Sequence, residues 1–234
     1  MKTIRTLPWA LLAIAAGIAA AQSTATTPAK PDLSSPKAAL GTACAALKSG
    51  DIPAAKACFV FKDATEADLF DITYIPLYAP LKLMHAMEGK FGEAGRQPFA
   101  NAAFEKGMDE LLEKIKTAEI TIDASGAAAS ISDKKAAVNP SAESELTGIS
   151  FRKEGDHWRI VAATFFESTG SAGALPAAEM RFMRTLSQQV AAACDATSAR
   201  LAKGDFKTAE EAYADYAART QTAMQAAASA ATQK

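Results

Sequence analysis

Histidine and cysteine are scarce in this chain, at two and three among 234 residues. Neither Cys-x-x-Cys nor His-x-x-x-His occurs, so the donor sets that hold zinc are missing and no metal or cofactor is expected. An excess of one charge is missing too. Lys and Arg number 25 against 26 Asp and Glu, and no basic cluster is interleaved with aromatics, which leaves nucleic-acid binding without an electrostatic footing. Gly-x-Ser-x-Gly, a Walker loop, a dinucleotide fingerprint and a zinc-protease motif are all absent. Asn139-Pro140-Ser141 carries proline in the position that forbids glycosylation.

Long hydrophobic runs are confined to the N-terminus. Lys2 and Arg5 precede an apolar stretch from Leu7 to Ala21, and Ala19-Ala20-Ala21 offers a small-x-small cleavage site. This reads as a signal peptide over residues 1–21, with Gln22 the mature start and a periplasmic or secreted protein as the result. The run is shorter than the roughly 20 residues a spanning helix needs. An uncleaved anchor is the alternative. After signal removal no membrane span is expected. Residues 22–35, "QSTATTPAKPDLSS", are too polar and proline-rich to bury a core and read as a disordered leader.

From Pro36 the apolar period is helical, with Ala39, Leu40, Ala43, Cys44 and Leu47 on one face. Gly50 ends that helix, Asp51 caps a second one running to about Phe61, and a third begins near Thr65. Pro76 and Pro80 predict a break or kink between Tyr74 and Pro80, with helix resuming to about Lys90. "FGEAG" reads as a turn and a fourth helix as Pro98 to Lys116. Near Thr117 the period changes from 3.6 to 2. "AEITID", "AAASIS", "SELTGISFR" and "HWRIVAATFF" alternate as strands, the last two joined through Lys153-Glu154-Gly155-Asp156. The expected fold is α+β, with N-terminal helices on a curved antiparallel sheet of about four strands over residues 36–168. A linker at 169–176 leads to a C-terminal helical hairpin at 177–234. Its seam is Met183, Leu186, Val190, Ala193, Thr197 and Leu201, and its last helix reaches about residue 228 before an alanine-rich tail frays.

Leu-x-x-Gly-Asp occurs twice, at Leu47 and Leu201, because each helical hairpin needs a residue free to leave the helix and a carboxylate to cap the next. Cys44 and Cys58 stand at equal distances from Asp51. On facing helices, with Ala43, Ala46, Ala54 and Ala57 allowing close approach, they come within disulfide range, a bridge worth roughly 3 kcal/mol for a loop of about 15 residues. Two buried reduced thiols are the alternative. Cys194 is left over, packed in a helix.

"GDFKTAEEAY" resembles the second helix of a tetratricopeptide repeat over about a dozen residues, although the two Gly-Asp copies are too far apart to stack as a solenoid. The wider pattern of "ALKSGDIPAAKACF" followed by "ISFRKEGDHWRIVAATF" resembles the NTF2-like (SnoaL-like, cystatin-like cone) superfamily, with Gly155, Trp158, Ile160 and Val161 matching its hairpin. The resemblance implies helices packed in the concave side of a curved sheet, around a pocket. The helical stretch from Thr65 to Lys116 and the strand number depart from the family pattern.

The chemistry-bearing candidates sit largely on the third helix. His85, flanked by Met84 and Met87, reads as a pocket base or a partly buried helical histidine. Asp68 and Asp71 share a face and read as an acid/base pair or a solvated face. His157 falls in a surface loop. Tyr74, Tyr78, Met87, Phe104 and Trp158 are the ligand-pocket candidates, or plain core. The family's isomerases use an aspartate base with a tyrosine donor, and Asp71 with Tyr74 or Tyr78 is the local pair that imitates them. Two functions follow. One is an exported non-enzymatic binding or scaffold module whose partner is a small apolar ligand or an envelope protein. The other is an isomerase or hydrolase acting on a small apolar substrate in the cone pocket. A self-associating structural protein is a third. A buried Asp or His beside a Tyr in an open pocket favours the enzyme, and an interior filled by Phe and Met favours the binding module.

Overall fold

Ser35 starts the first helix. Its hydroxyl accepts the Ala38 N–H at 3.1 Å, and Pro36 occupies the first turn, where its missing donor costs nothing. A computed structural model describes residues 31–99, 102–132, 146, 148–168 and 176–232. The expected signal peptide, most of the leader and residues 169–175 of the linker lie outside them. The last leader residues belong to the fold: Leu33 is buried, and its carbonyl accepts the Trp158 N–H at 2.8 Å. Helix α1 (Pro36–Ser49) stops at Gly50, whose φ of 73° is left-handed. Asp51 then caps α2 (Ile52–Lys56) through the Ala54 N–H at 3.1 Å. This helix is shorter than expected. Phe59–Val60 form strand β1, which pairs in parallel with a later strand. Two residues are too few to display any period, so the pattern cannot tell them from the end of a helix.

Asp63 caps α3 (Ala64–Phe91) through Glu66 N–H at 3.0 Å, and the Glu66 carboxylate returns to the Lys62 N–H at 2.6 Å. Of the break or kink expected between Tyr74 and Pro80, the break does not occur; α3 is one continuous helix that contains both prolines. Each proline costs about 3 kcal/mol in a helix interior. Burial along two different faces offsets this. Phe70 and Tyr74 enter one apolar cluster, and Leu83 and Met87 enter another. The Ser187 hydroxyl, from a later helix, also donates to the Asp71 carbonyl at 3.3 Å, one turn before Pro76. "FGEAG" is not a simple turn. Gly92 closes α3, and a single helical turn, α4 (Glu93–Arg96), follows with a 3₁₀ turn at Gln97–Phe99. Helix α5 spans Ala102–Thr117, its side chains described from residue 107.

The period change at Thr117 marks the passage into the sheet. Strands β2 (Glu119–Ile122), β3 (Ala128–Ser132), β4 (Ser150–Glu154) and β5 (His157–Val161) are antiparallel neighbours, and β1 adds to β5, in the order β1-β5-β4-β3-β2. Among the described residues the sheet is therefore mixed and five-stranded rather than purely antiparallel with about four. Gly155-Asp156 joins β4 to β5. Positive φ at Gly155 (59°) but not at Asp156 matches a type II′ hairpin, which reserves its first central position for glycine. Strand β5 ends earlier than expected. Ala162–Ser168 form helix α6, and the Thr164 hydroxyl marks the corner, donating to Val161 O and accepting the Ser150 N–H, both at 2.9 Å.

Register sets two faces. Ile122, Ala129, Phe151, Ile160 and Phe59 align across the five strands on the inner side, where α1 packs. Thr121, Ser130 and Ser150 align on the outer side, as do Ala128, Arg152 and Arg159.

Helices α7 (Ala177–Lys203) and α8 (Ala209–Thr232) form the expected hairpin, and α7 packs along α3, reaching Asp68 and Asp71 near its start and Leu83 and Met87 near its end. Leu186, Val190, Ala193, Thr197 and Leu201 of the seam are buried. Gly204 ends α7 in the same left-handed geometry as Gly50. Asp205, however, does not cap α8. Thr208 does, accepting the Glu211 N–H at 3.3 Å while the Glu211 carboxylate takes the Lys207 N–H at 2.7 Å. The alanine-rich end stays helical to Thr232, in line with alanine's high helix propensity.

Candidate functional site

The aromatic side chains of α3 meet those of β1 and α6 between helix and sheet. Phe70 lies 5.0 Å from Phe59, 5.7 Å from Phe61 and 4.8 Å from Tyr74, ring centre to ring centre. Tyr74 in turn lies 6.1 Å from Phe165, 6.2 Å from Phe166 and 5.8 Å from Tyr78. Tyr74 is buried and Tyr78 half-buried. Burial, with Tyr74 and Cys44 nearby, pushes the Tyr78 hydroxyl well above the usual phenol range. These rings pack on one another between α3 and the sheet.

Asp71, the expected base, turns away from them. Its two carboxylate oxygens both accept from Lys56 Nζ at 2.7 Å, in a pair roughly one-third exposed. Asp71 and Tyr74 thus share a helix but not a site. Asp68 likewise pairs with Arg184 of α7. His85 stands about 21 Å along α3 from Asp71, at 1.5 Å per residue. Its Nε2 lies 3.4 Å from the Lys48 carbonyl, and its Nδ1 lies 3.6 Å from Glu88, which also faces Arg96 at 3.6 Å. Glu88 was legible as a partner, since residues three apart share a helix face. Met87 is buried against Leu201, Phe206 and Ala212, on the side of α3 that faces α7 and α8. Trp158 is buried under the sheet with Lys153 Nζ 5.9 Å from its ring, and His157 is exposed. The Phe104 side chain lies outside the described residues. Of the candidates whose side chains are described, Tyr74, Tyr78 and Trp158 belong to or pack against the sheet-side core.

The Cys44–Cys58 bridge is not formed; both thiols are free and buried, as is Cys194. The expected symmetry fails because α2 ends at Lys56. Cys58 sits past its end instead of on a facing helix, and its Sγ donates to the Ala54 carbonyl at 3.4 Å. Burial raises Cys44 and Cys194 to about 12 and Cys58 to about 11. Since the thiolate is the reactive form, iodoacetamide at pH 8 should leave all three unmodified in the native protein. All three should react after denaturation without reductant. A mass spectrum of the denatured, alkylated chain with only one adduct would contradict free thiols.

A polar cluster not anticipated from sequence lies between α7 and α8. Asp215 accepts from Thr197 Oγ1 at 2.9 Å, from Arg219 Nε at 2.8 Å and from Arg200. Arg200 also reaches Asp205 at 3.2 Å, and its guanidinium carbon lies 4.6 Å from the Phe206 ring centre. The spacing of Asp215 and Arg219 was readable as a helical pair, whereas Thr197 and Arg200 arrive only through tertiary packing. The Arg219 hydrogen bond above all, then Thr197 and both guanidiniums, hold the Asp215 carboxyl below its usual range against an opposing burial effect. A depressed folded value means the carboxylate stabilises the fold above its unfolded pKa, and that stability is lost as pH falls through the folded one. Asp215→Ala is expected to cost about 2–3 kcal/mol at pH 7, as expected for charge-assisted hydrogen bonds, and to flatten the acid limb of a stability–pH profile. An unchanged acid limb would remove this role.

Among the described residues no group of three or more His, Cys, Asp or Glu is placed to hold a metal, and no helix is long and apolar enough to cross a membrane. Compared with known proteins, the chain matches no family model, no curated protein and no solved structure.

Proposed function

We propose that this protein is an exported, non-enzymatic binding module with an NTF2-like domain, and that it engages an envelope protein rather than enclosing a small apolar ligand. The observation that carries this reading is the packing of Phe59, Phe70, Tyr74, Phe165 and Phe166 in the region where a cone pocket would lie. The pairing of Asp71 with Lys56 supports it, because a general base must reach a substrate proton, and both oxygens of this carboxylate are taken by a cation. The early helix ending at Gly50-Asp51 and the Gly155…Trp158 hairpin, in an α+β arrangement, support the NTF2-like assignment. The N-terminal Lys2, Arg5 and apolar run to Ala21 support export.

Protein purified from its own compartment and examined by native mass spectrometry tests the reading. A stoichiometric protein partner is the expected result, retained equally by Asp71→Asn. Turnover of a small ketone or ester that Asp71→Asn abolishes would replace this reading with the isomerase or hydrolase one.

A further inference from the structure

The outer face of the sheet carries an arrangement that stability alone does not favour. Arg152 and Arg159 stand directly opposite each other across β4 and β5. Side chains so placed have Cβ atoms about 4.5–5.5 Å apart, and like charges there are destabilising. Glu154 offsets only one of them, lying 3.2 Å from Arg159 Nε. Arg152 is exposed, and no ion pair to it occurs among the described residues. Beside the two guanidiniums the face is low and polar. Ala128 is the third member of the arginine row, and Thr121, Ser130 and Ser150 form the next row. Thr121, Ala128 and Ser130 are all exposed.

Resting on the binding-module reading, we propose that this outer face binds an acidic segment of a partner protein, with a carboxylate set between Arg152 and Arg159 and the segment's polar backbone over the Thr121–Ser130–Ser150 row. Guanidinium groups match carboxylates with paired, directional donors. The face is open rather than a cleft, so a lone small anion would keep its water and gain little. Exposed Glu119, Glu154 and Asp156 at its margins disfavour a dense polyanion such as a nucleic acid. A peptide with one or two carboxylates satisfies both conditions.

The test is an NMR titration of the full mature chain with an acetylated, amidated Gly-Ser-Glu-Glu-Ser-Gly peptide. The Gln-for-Glu peptide and inorganic phosphate serve as comparisons. Amide shifts are expected at Ala128, Ser130, Arg152, Glu154 and Arg159 with the Glu peptide alone, weakening as salt rises. Arg152→Gln should lower affinity about tenfold, by loss of a charge-assisted contact. Its Tm should stay level or rise, because the opposed charge is gone. No shifts at these amides, equal shifts with the Gln peptide or phosphate, or unchanged affinity in Arg152→Gln would each overturn the assignment. A partner retained in native mass spectrometry alongside a silent titration would sink this surface alone. A specific titration alongside Asp71-dependent turnover would sink the binding-module reading alone.

Discussion

Gly50→Ala is expected to destabilise the protein by about 2–5 kcal/mol, the sum of a left-handed backbone penalty of about 1–2 and an overpacking cost of about 1–3. Two independent effects coincide at this residue. Its φ is 73°, where a side chain is strained whatever the space around it. The α1–α2 corner also presses on α3: a Cβ on Gly50 would stand 2.4 Å from Lys82 N and 2.8 Å from Tyr78 O. Both are backbone atoms of a helix, so no side chain can swing aside to relieve the contact. The two helices would have to separate where α1 and α3 jointly cover the core. Thermal unfolding reads this as a drop of roughly 2–4 °C per kcal/mol for a chain of this size. Gly155→Ala supplies the contrast. It shares the positive φ, but nothing lies within 4 Å of its added Cβ, so only the backbone penalty remains. Equal losses at the two positions would refute the close approach of Gly50 to α3.

Phe70→Ala is expected to cost about 3–5 kcal/mol, the range for emptying a buried aromatic position. Phe70 is 0% exposed and touches Phe59 from β1, Phe61 beyond it and Tyr74 on its own helix. Its ring therefore joins α3 to the two-residue parallel strand, the weakest member of the sheet. Chemical denaturation should show the midpoint fall, and hydrogen exchange should show Ile160, whose N–H donates to the Cys58 carbonyl at 2.9 Å, losing protection relative to the β3–β4 pair. A loss below about 1 kcal/mol would mean the rings are not close-packed, and would reopen the space to a ligand. The same measurement therefore bears on the binding-module reading, whose support is that this region is filled by side chains.

Much of the fold was legible because the signals involved act over a few residues. Asp51 caps α2, Gly50 and Gly204 end α1 and α7, and the period changes where α5 ends at Thr117 and β2 begins at Glu119. The hairpin at Gly155 followed from turn chemistry. Asp205 shows where local reading misleads: the same Gly-Asp pair occurs at both corners, but at the second the cap passes to Thr208, whose Glu211 completes a reciprocal pair. The candidate site was less legible. Asp71, Tyr74 and His85 were correctly placed on one helix. Helical spacing did not reveal that Lys56 would take the carboxylate, that Phe165 and Phe166 of α6 would pack on the tyrosine, or that a backbone carbonyl of α1 would meet the histidine.

The sequence by itself determined the helix boundaries that caps and glycines mark, the switch from coil-lining to alternating side chains, and the seam of the C-terminal hairpin. Only the tertiary structure decided that α3 continues through Pro76 and Pro80, that Phe59 and Val60 join the sheet, and that α7 and α8 lie on α3. The reason is range. A cap or a turn is settled by atoms three or four residues away. The free energy that overrides two prolines, or holds a two-residue strand, comes from surfaces buried against elements a hundred residues distant, and nothing in the local pattern records those.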